Sequence, residues 1–440
     1  MRAKIKIRLG CAGLLIAGGV AEWVVIDDPV MARAAFLAMC ALALWLTELV
    51  PLYVPTLVLW LGIPLLLGGS GGAYSLQAVL GWSAQPVMAL FFGGFALGAA
   101  GHKHGIDALI CRWTTVLAGG SRSRMLLAVM GATALLSMWM SNIAAAAMML
   151  AALRPMWAGL GQADPFRRAL LLGVAFGANF GGMATPVGSG PNALAMAATG
   201  ITFVRWMVLA TPLAAGILLA TYFLLNTRHD IGGNLVYREF SALRPTRRAW
   251  AVAGIFTLTV GLWLLEPWHG IPAWQVGVGA AAALFGLRLL HGRDLLRLDW
   301  PTLLLIAGGL TLGKLVEQSG MAHAAAGSVA WGELHPTITV LTFVFAAATL
   351  SSVASNTATA ALLIPLAGSI NPSPALAVLV ALGASLGTPF VISTPPNALA
   401  FGEGGLRGKD FLMPGLVMLL MGGLLVGLTG PGVLRWMGVP

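Results

Sequence analysis

Charge is what this sequence holds least of. Asp, Glu, Lys and Arg together make 9% of its 440 residues, and neither they nor His occur anywhere in 131–153, 174–200, 339–366 or 376–402. So little charge excludes an ordinary solvated surface. With 58% hydrophobic residues spread from end to end, the chain reads as an all-α integral membrane protein. Cysteine is nearly absent too: Cys11, Cys40 and Cys111 show no paired spacing, which leaves neither a disulfide framework nor a metal motif. The seven His residues (102, 104, 229, 269, 291, 323 and 335) all fall in loops or at the ends of apolar segments. A hydrolase with its nucleophile at membrane depth would have no base beside it, so the chain is read as a non-enzyme.

Apolar stretches are plentiful. A membrane span needs roughly 20 mostly apolar residues. Candidates lie near 9–26, 32–50, 54–69, 86–101, 167–199, 205–225, 249–266, 273–290, 301–318, 374–402 and 411–430. Two more pieces, near 123–153 and 336–369, carry polar clusters at their centres: "SMWMSN" from Ser137 and "SSVASNTATA" from Ser351. Read as re-entrant hairpins that enter and leave on one face, they leave about 11 transmembrane helices. Lys and Arg collect in cytoplasmic loops. With the amino terminus in the cytoplasm of an inner membrane and the carboxyl terminus outside, 21 of the 25 fall inside, and only Arg33, Arg205, Lys314 and Arg435 do not. Making either hairpin a full crossing would reverse every later loop and destroy that bias. The net charge of +10 is therefore a topology signal and not a nucleic-acid surface. The basic head "MRAKIKIR" precedes a long apolar stretch with no small-residue cleavage pattern, so residues 1–31 read as a retained extra span.

The remainder of this single membrane domain looks duplicated, with a first repeat over 32–225 and a second over 249–430. Pro86 matches Pro301, Gly93-Gly94 match Gly308-Gly309, Ser141-Asn142 match Ser355-Asn356, and "TPVGSGPNALA" matches "ISTPPNALA", all in the same order. Five spans per repeat is an odd number, so the halves are inverted in the membrane. Inverted repeats interrupted by Gly and Pro at matching places point to a secondary transporter with its site near the midplane.

Residues 184–192 and 393–397 contain Pro186, Pro191, Pro395 and Pro396, which forbid continuous helix there. Each break exposes carbonyls at one half-helix end, suited to cations, and N–H groups at the next, suited to anions. Two hard cations with a small anion between them fit four such ends. With no ionisable side chain nearby, co-bound cations must offset the anion's desolvation. Glu48 and Lys314 are ionisable residues at span edges, each a weaker candidate for transport.

"WLTELVP" (45–51), "SMWMSNIAAAAMM" (137–149), "GANFGGMATPVGSGPNALA" (177–195), "SNTATAALLIP" (355–365) and "GTPFVISTPPNALAF" (387–401) resemble the divalent anion/sodium symporter family. The resemblance implies a homodimeric elevator-type secondary transporter, moving a small organic anion, a dicarboxylate, together with Na+. It implies one sodium site from Ser137, Ser141, Asn142 and the backbone at Gly188, and a second from Ser351, Ala354, Asn356 and the backbone at Ser393. The substrate carboxylates would fall to Asn142, Ser189, Gly190, Asn356, Thr357, Thr394 and Pro395. Two departures fall on the substrate side: Ile143 stands where the family motif has Thr, and Ser189-Gly190-Pro191 where it has Thr-Pro-Pro. A sodium-independent anion exchanger, or a carrier of an inorganic oxyanion such as sulfate, is the alternative reading.

Overall fold

The computed structural model describes residues 13, 16–20, 26–47, 49–157, 160–234, 245–327, 331–370 and 373–439. Most of the expected first span and Glu48 lie outside them. Among the described residues the chain is helical, with a single isolated bridge, Ser121 to Asn234, as the one extended pairing.

The first half begins with α1 (Pro29–Thr47), α2 (Val54–Leu67), α3 (Leu76–Ser83) and α4 (Pro86–Lys103). It continues with α5 (Ile106–Ala118), the hairpin arms α6 (Arg122–Ser137) and α7 (Asn142–Trp157), α8 (Pro165–Gly181), α9 (Gly190–Thr199) and α10 (Phe203–His229). The second half follows the same order. It has α11 (Arg247–Leu264), α12 (Ala273–Gly286), α13 (Trp300–Gln318) and α14 (Met321–Gly327). Then come the hairpin arms α15 (Pro336–Val353) and α16 (Asn356–Ile370), α17 (Pro374–Ala384), α18 (Pro395–Gly402) and α19 (Gly408–Trp436). Ten of the expected spans coincide with described helices, two of them broken. Helices α3, α5 and α14 were not foreseen. They are short connectors whose apolar residues did not form a membrane-length run.

By length and composition alone, four helices can cross a bilayer: α1, α10, α15 and α19, or five if α3 and α4, bent by 49° at Ala84–Gln85, are one span. The 14 residues of α2 and of α12 extend about 21 Å each, short of a hydrocarbon layer of about 30 Å. Hairpin arm α15 is as long as a span. Length therefore does not separate arms from crossings; at each tip the chain reverses, with α6 packed on α7 and α15 on α16.

The matched glycine pairs have a packing cause. A Cβ on Gly93 would overlap the backbone of Gly277, and one on Gly308 would overlap the side chain of Thr56, so α4 meets α12 as α13 meets α2. Their neighbours face the other way, Gly94 onto Val187 and Gly309 onto Leu194 and Ala361. Gly94 thus brings α4 against the first break, while Gly309 brings α13 against α9 and α16.

Pro191, Pro395 and Pro396 lie at the starts of α9 and α18 and not inside the breaks, which run over 182–189 and 385–394. A proline is at no disadvantage in a first helical turn, where its missing N–H would have no partner.

The Gly93 contact predicts that Gly93→Ala lowers detergent stability by about 1–3 kcal/mol through overpacking. Gly279→Ala, in open space on α12, should leave the melting temperature unchanged. Equal melting of the two variants would refute the close-packing role.

Candidate functional site

Both hairpin tips and both breaks line one cavity of about 440 Å³. From the first half come Ser141, Asn142, Ile143, Asn179, Val187, Gly188, Ser189, Gly190 and Pro191. From the second come Ser355, Asn356, Thr357, Ile392, Ser393, Thr394, Pro395 and Pro396. Leu52, Phe91, Phe95, Thr302 and Leu305 close the remaining side. No ionisable side chain is among the lining residues.

The tips are built alike. In the first, the Ser137 hydroxyl lies 2.7 Å from Asn142 Oδ1 and 2.6 Å from the Ala178 carbonyl; in the second, the Ser351 hydroxyl lies 2.6 Å from Asn356 Oδ1 and 2.5 Å from the Ala384 carbonyl. A serine has one proton to donate, so in each tip one of the two short contacts brings acceptor against acceptor. Turning the amide over would supply a donor. With the amide oxygen inward, three oxygens converge, and that is a cluster for a hard cation.

Each break is braced by one amide. Asn192 Nδ2 donates to the carbonyls of Gly182 at 2.9 Å and Thr185 at 2.7 Å, and Asn397 Nδ2 to those of Thr388 at 3.0 Å and Phe390 at 2.8 Å. Tip and break are also tied: the Thr185 hydroxyl donates to the Met138 carbonyl, and Ser393 Oγ to the Ser352 carbonyl at 2.6 Å. Asn179 Nδ2 joins the halves through Asn397 Oδ1 at 3.0 Å.

The cavity ends are cross-assembled. The second tip leans on the first break, since a Cβ on Gly190 would overlap Thr357 Oγ1, and α9 packs along α16; in the same way α18 packs along α7, which begins at the first tip. The predicted residues Ser141, Asn142, Gly188, Ser189, Gly190, Asn356, Thr357, Ser393, Thr394 and Pro395 therefore share one wall. Ser137 and Ser351 sit behind their Asn partners. Ala354 is buried at the end of α15, off the cavity wall. The Ala178 and Ala384 carbonyls were missed, because a backbone oxygen in an apolar helix leaves no mark in the sequence. Asn179 could have been found, since "GAN" in one half aligns with "GAS" at 383–385 in the other. Lys314 lies elsewhere, beside a second cavity, and pairs with Glu317 at 2.8 Å.

Broken helices and two uncharged tips around one cavity, carried on a bundle of apolar helices, define a multi-pass membrane transporter. A sequence model of the CitMHS family, described as citrate transporter, matches residues 23–382, and the chain belongs to that family. It is 31% identical over 427 residues to an uncharacterized transporter of Haemophilus influenzae, covering 89% of this chain and 88% of that one. It is 26% identical to the sodium-dependent dicarboxylate transporter SdcS of Staphylococcus saprophyticus, over 86% of this chain and 81% of the relative. The inorganic phosphate transporter PHO87 of Saccharomyces cerevisiae is 27% identical over 88% of this chain, which spans only 45% of that longer protein. The YdaH transporter structure from Alcanivorax borkumensis shares the fold, with a TM-score of 0.58 at 16% identity over 86% of this chain and 97% of that one. The resemblance to divalent anion/sodium symporters thus holds at the level of the family and its SdcS relatives, and the protein is a transporter and not an enzyme.

The contact between tip and break predicts that Gly190→Ala destabilises the folded protein by about 1–3 kcal/mol. Adding Thr357→Ala should restore part of that loss. A double-mutant cycle of melting temperatures with no coupling would remove the contact from the site.

Proposed function

We propose that the protein is a sodium-coupled symporter of a small organic anion of the carboxylate class, working across the inner membrane. The observation that carries this reading is the repeated oxygen cluster: in both tips a serine hydroxyl, an asparagine amide oxygen and an alanine carbonyl converge within hydrogen-bond reach. Each cluster would hold one Na+, Ser137, Ser141, Asn142 and the Gly188 backbone at the first, Ser351, Ala354, Asn356 and the Ser393 backbone at the second. The anion would lie between them, against Asn142, Ser189, Gly190, Asn356, Thr357, Thr394 and Pro395. With no positive side chain at the cavity, the cations supply the charge that lets an anion leave water. Coupling is then obligatory, since the anion site is electrostatically complete only when sodium is bound. The SdcS relatives, named as sodium-dependent dicarboxylate transporters, support the same assignment.

In an elevator cycle the hairpins and breaks, tied to each other by hydrogen bonds, would travel as one body against α1–α4 and α11–α13. A homodimer would hold that frame still. The amino terminus would lie in the cytoplasm and the carboxyl terminus outside.

Purified protein in proteoliposomes should take up at least one labelled carboxylate from a panel of pyruvate, 4-methyl-2-oxopentanoate, succinate, malate, 2-oxoglutarate and citrate faster under an inward sodium gradient than under a potassium gradient. Ser137→Ala and Ser351→Ala should each raise the sodium concentration for half-maximal uptake about tenfold or more, a loss of about 1.4 kcal/mol. Asn356→Ala should abolish uptake while the protein still inserts. Sodium-independent counterflow, or transport of sulfate or phosphate alone, would overturn the symport of a carboxylate.

A further inference from the structure

The two ends of the cavity are related by the duplication, yet they offer an anion very different things. At the end formed by the second tip and the first break, α9 starts without a side-chain cap, since Ser189 makes no capping bond. The opening N–H groups of a helix have no intrahelical partner. At α9 these are Gly190 and Asn192, with Pro191 between them. Ser189 Oγ is buried and makes no hydrogen bond among the described residues, and the Thr357 hydroxyl stands against Gly190. Free N–H groups, a free hydroxyl and the positive end of a ten-residue helix converge there, as a carboxylate requires.

The opposite end, formed by the first tip and the second break, offers an anion no free helix N–H. The first two positions of α18 are Pro395 and Pro396, which have no N–H, and the next N–H, from Asn397, is already taken by the Thr394 side chain at 3.3 Å. Where Thr357 stands in the second tip the first has Ile143, 42% exposed, and Ile392 on the adjoining break is 66% exposed. Phe91 and Phe95 also line the cavity. A second carboxylate here would lose its hydration and gain no donor from the helix start.

We infer that the transported anion carries a single carboxylate, seated at Ser189, Gly190 and Thr357, and an uncharged apolar arm lying against Ile143 and Ile392. Ile143 is the specificity-determining residue. This rests on the proposal that the cavity carries a small carboxylate, and it is independent of whether sodium drives the transport.

The test compares two 2-oxo acids with the same head and different tails, 4-methyl-2-oxopentanoate and 2-oxoglutarate, each labelled and supplied to proteoliposomes of the full-length protein with and without a sodium gradient. The wild type should favour the apolar tail by about tenfold or more in kcat/KM. Ile143→Thr should shift the ratio toward 2-oxoglutarate by a similar factor, and Ile143→Phe should disfavour the branched tail relative to pyruvate. Preference of the wild type for 2-oxoglutarate or succinate, or an unchanged ratio in both variants, would overturn the inference. The wild-type ratio alone decides the matter if Ile143→Thr does not fold. An apolar-tail preference without sodium dependence would remove the symport and leave this inference standing. Sodium-driven uptake that favours the dicarboxylate would do the reverse, and a preference for phosphate over both acids would overturn both.

Discussion

Backbone that leaves the helix inside an apolar interior must find its hydrogen bonds within the protein, and the central architecture follows from how two asparagines meet that demand. Asn192 and Asn397, fully buried, each give both amide protons to carbonyls of the preceding break. The breaks can then run for several residues without water. Once braced, a break presents an open helix start on one side and spare carbonyls on the other. The hairpin tips fit against it because Thr185 and Ser393 donate to tip carbonyls. The polar groups that look out of place in an apolar sequence are therefore mutually dependent. Removing either asparagine would strand at least two carbonyls in low dielectric, at about 1–3 kcal/mol each.

The arrangement occurs twice, but the two copies are not alike. The first tip is packed tightly: Trp139 stacks on Trp263 at 5.9 Å with 9° between the rings, and lies edge-on to Phe256. At the matching position in the second tip stands Val353, 56% exposed. One tip is thus anchored to α11 while its counterpart is loosely covered. The same inequality appears at the cavity, where the oxygen clusters behind the two tips agree in composition and distance while the surfaces in front of them differ.

Much of this was legible in the sequence. Spans, breaks and hairpins were marked by apolar length and by Pro, Gly and Ser-Asn clusters, each a direct mark of where helix is impossible or polar backbone is exposed. The side chains now found around one cavity, from Asn142 to Thr394, were legible for the same reason. What stayed hidden is of two kinds. The carbonyls of Ala178 and Ala384, and the connectors α5 and α14, depend on backbone position, which no side chain reports. The placement of Pro191 and Pro395 at helix starts was misread because proline forbids helix before itself and favours one after itself. Only the chain's direction at each site tells the two apart.

The cross-assembled ends make the two halves of the cavity structurally separable. Each end takes its tip from one half and its break from the other, so a substitution such as Ile143 changes only one end of the cavity while the oxygen cluster behind the same tip, within its own half, remains intact. The oxygen clusters and the cavity surfaces in front of them are in this way built from different pairings of the same four segments. The uncapped helix start at Gly190, set against a proline-closed start at Pro395, is what such a one-sided change leaves in the structure.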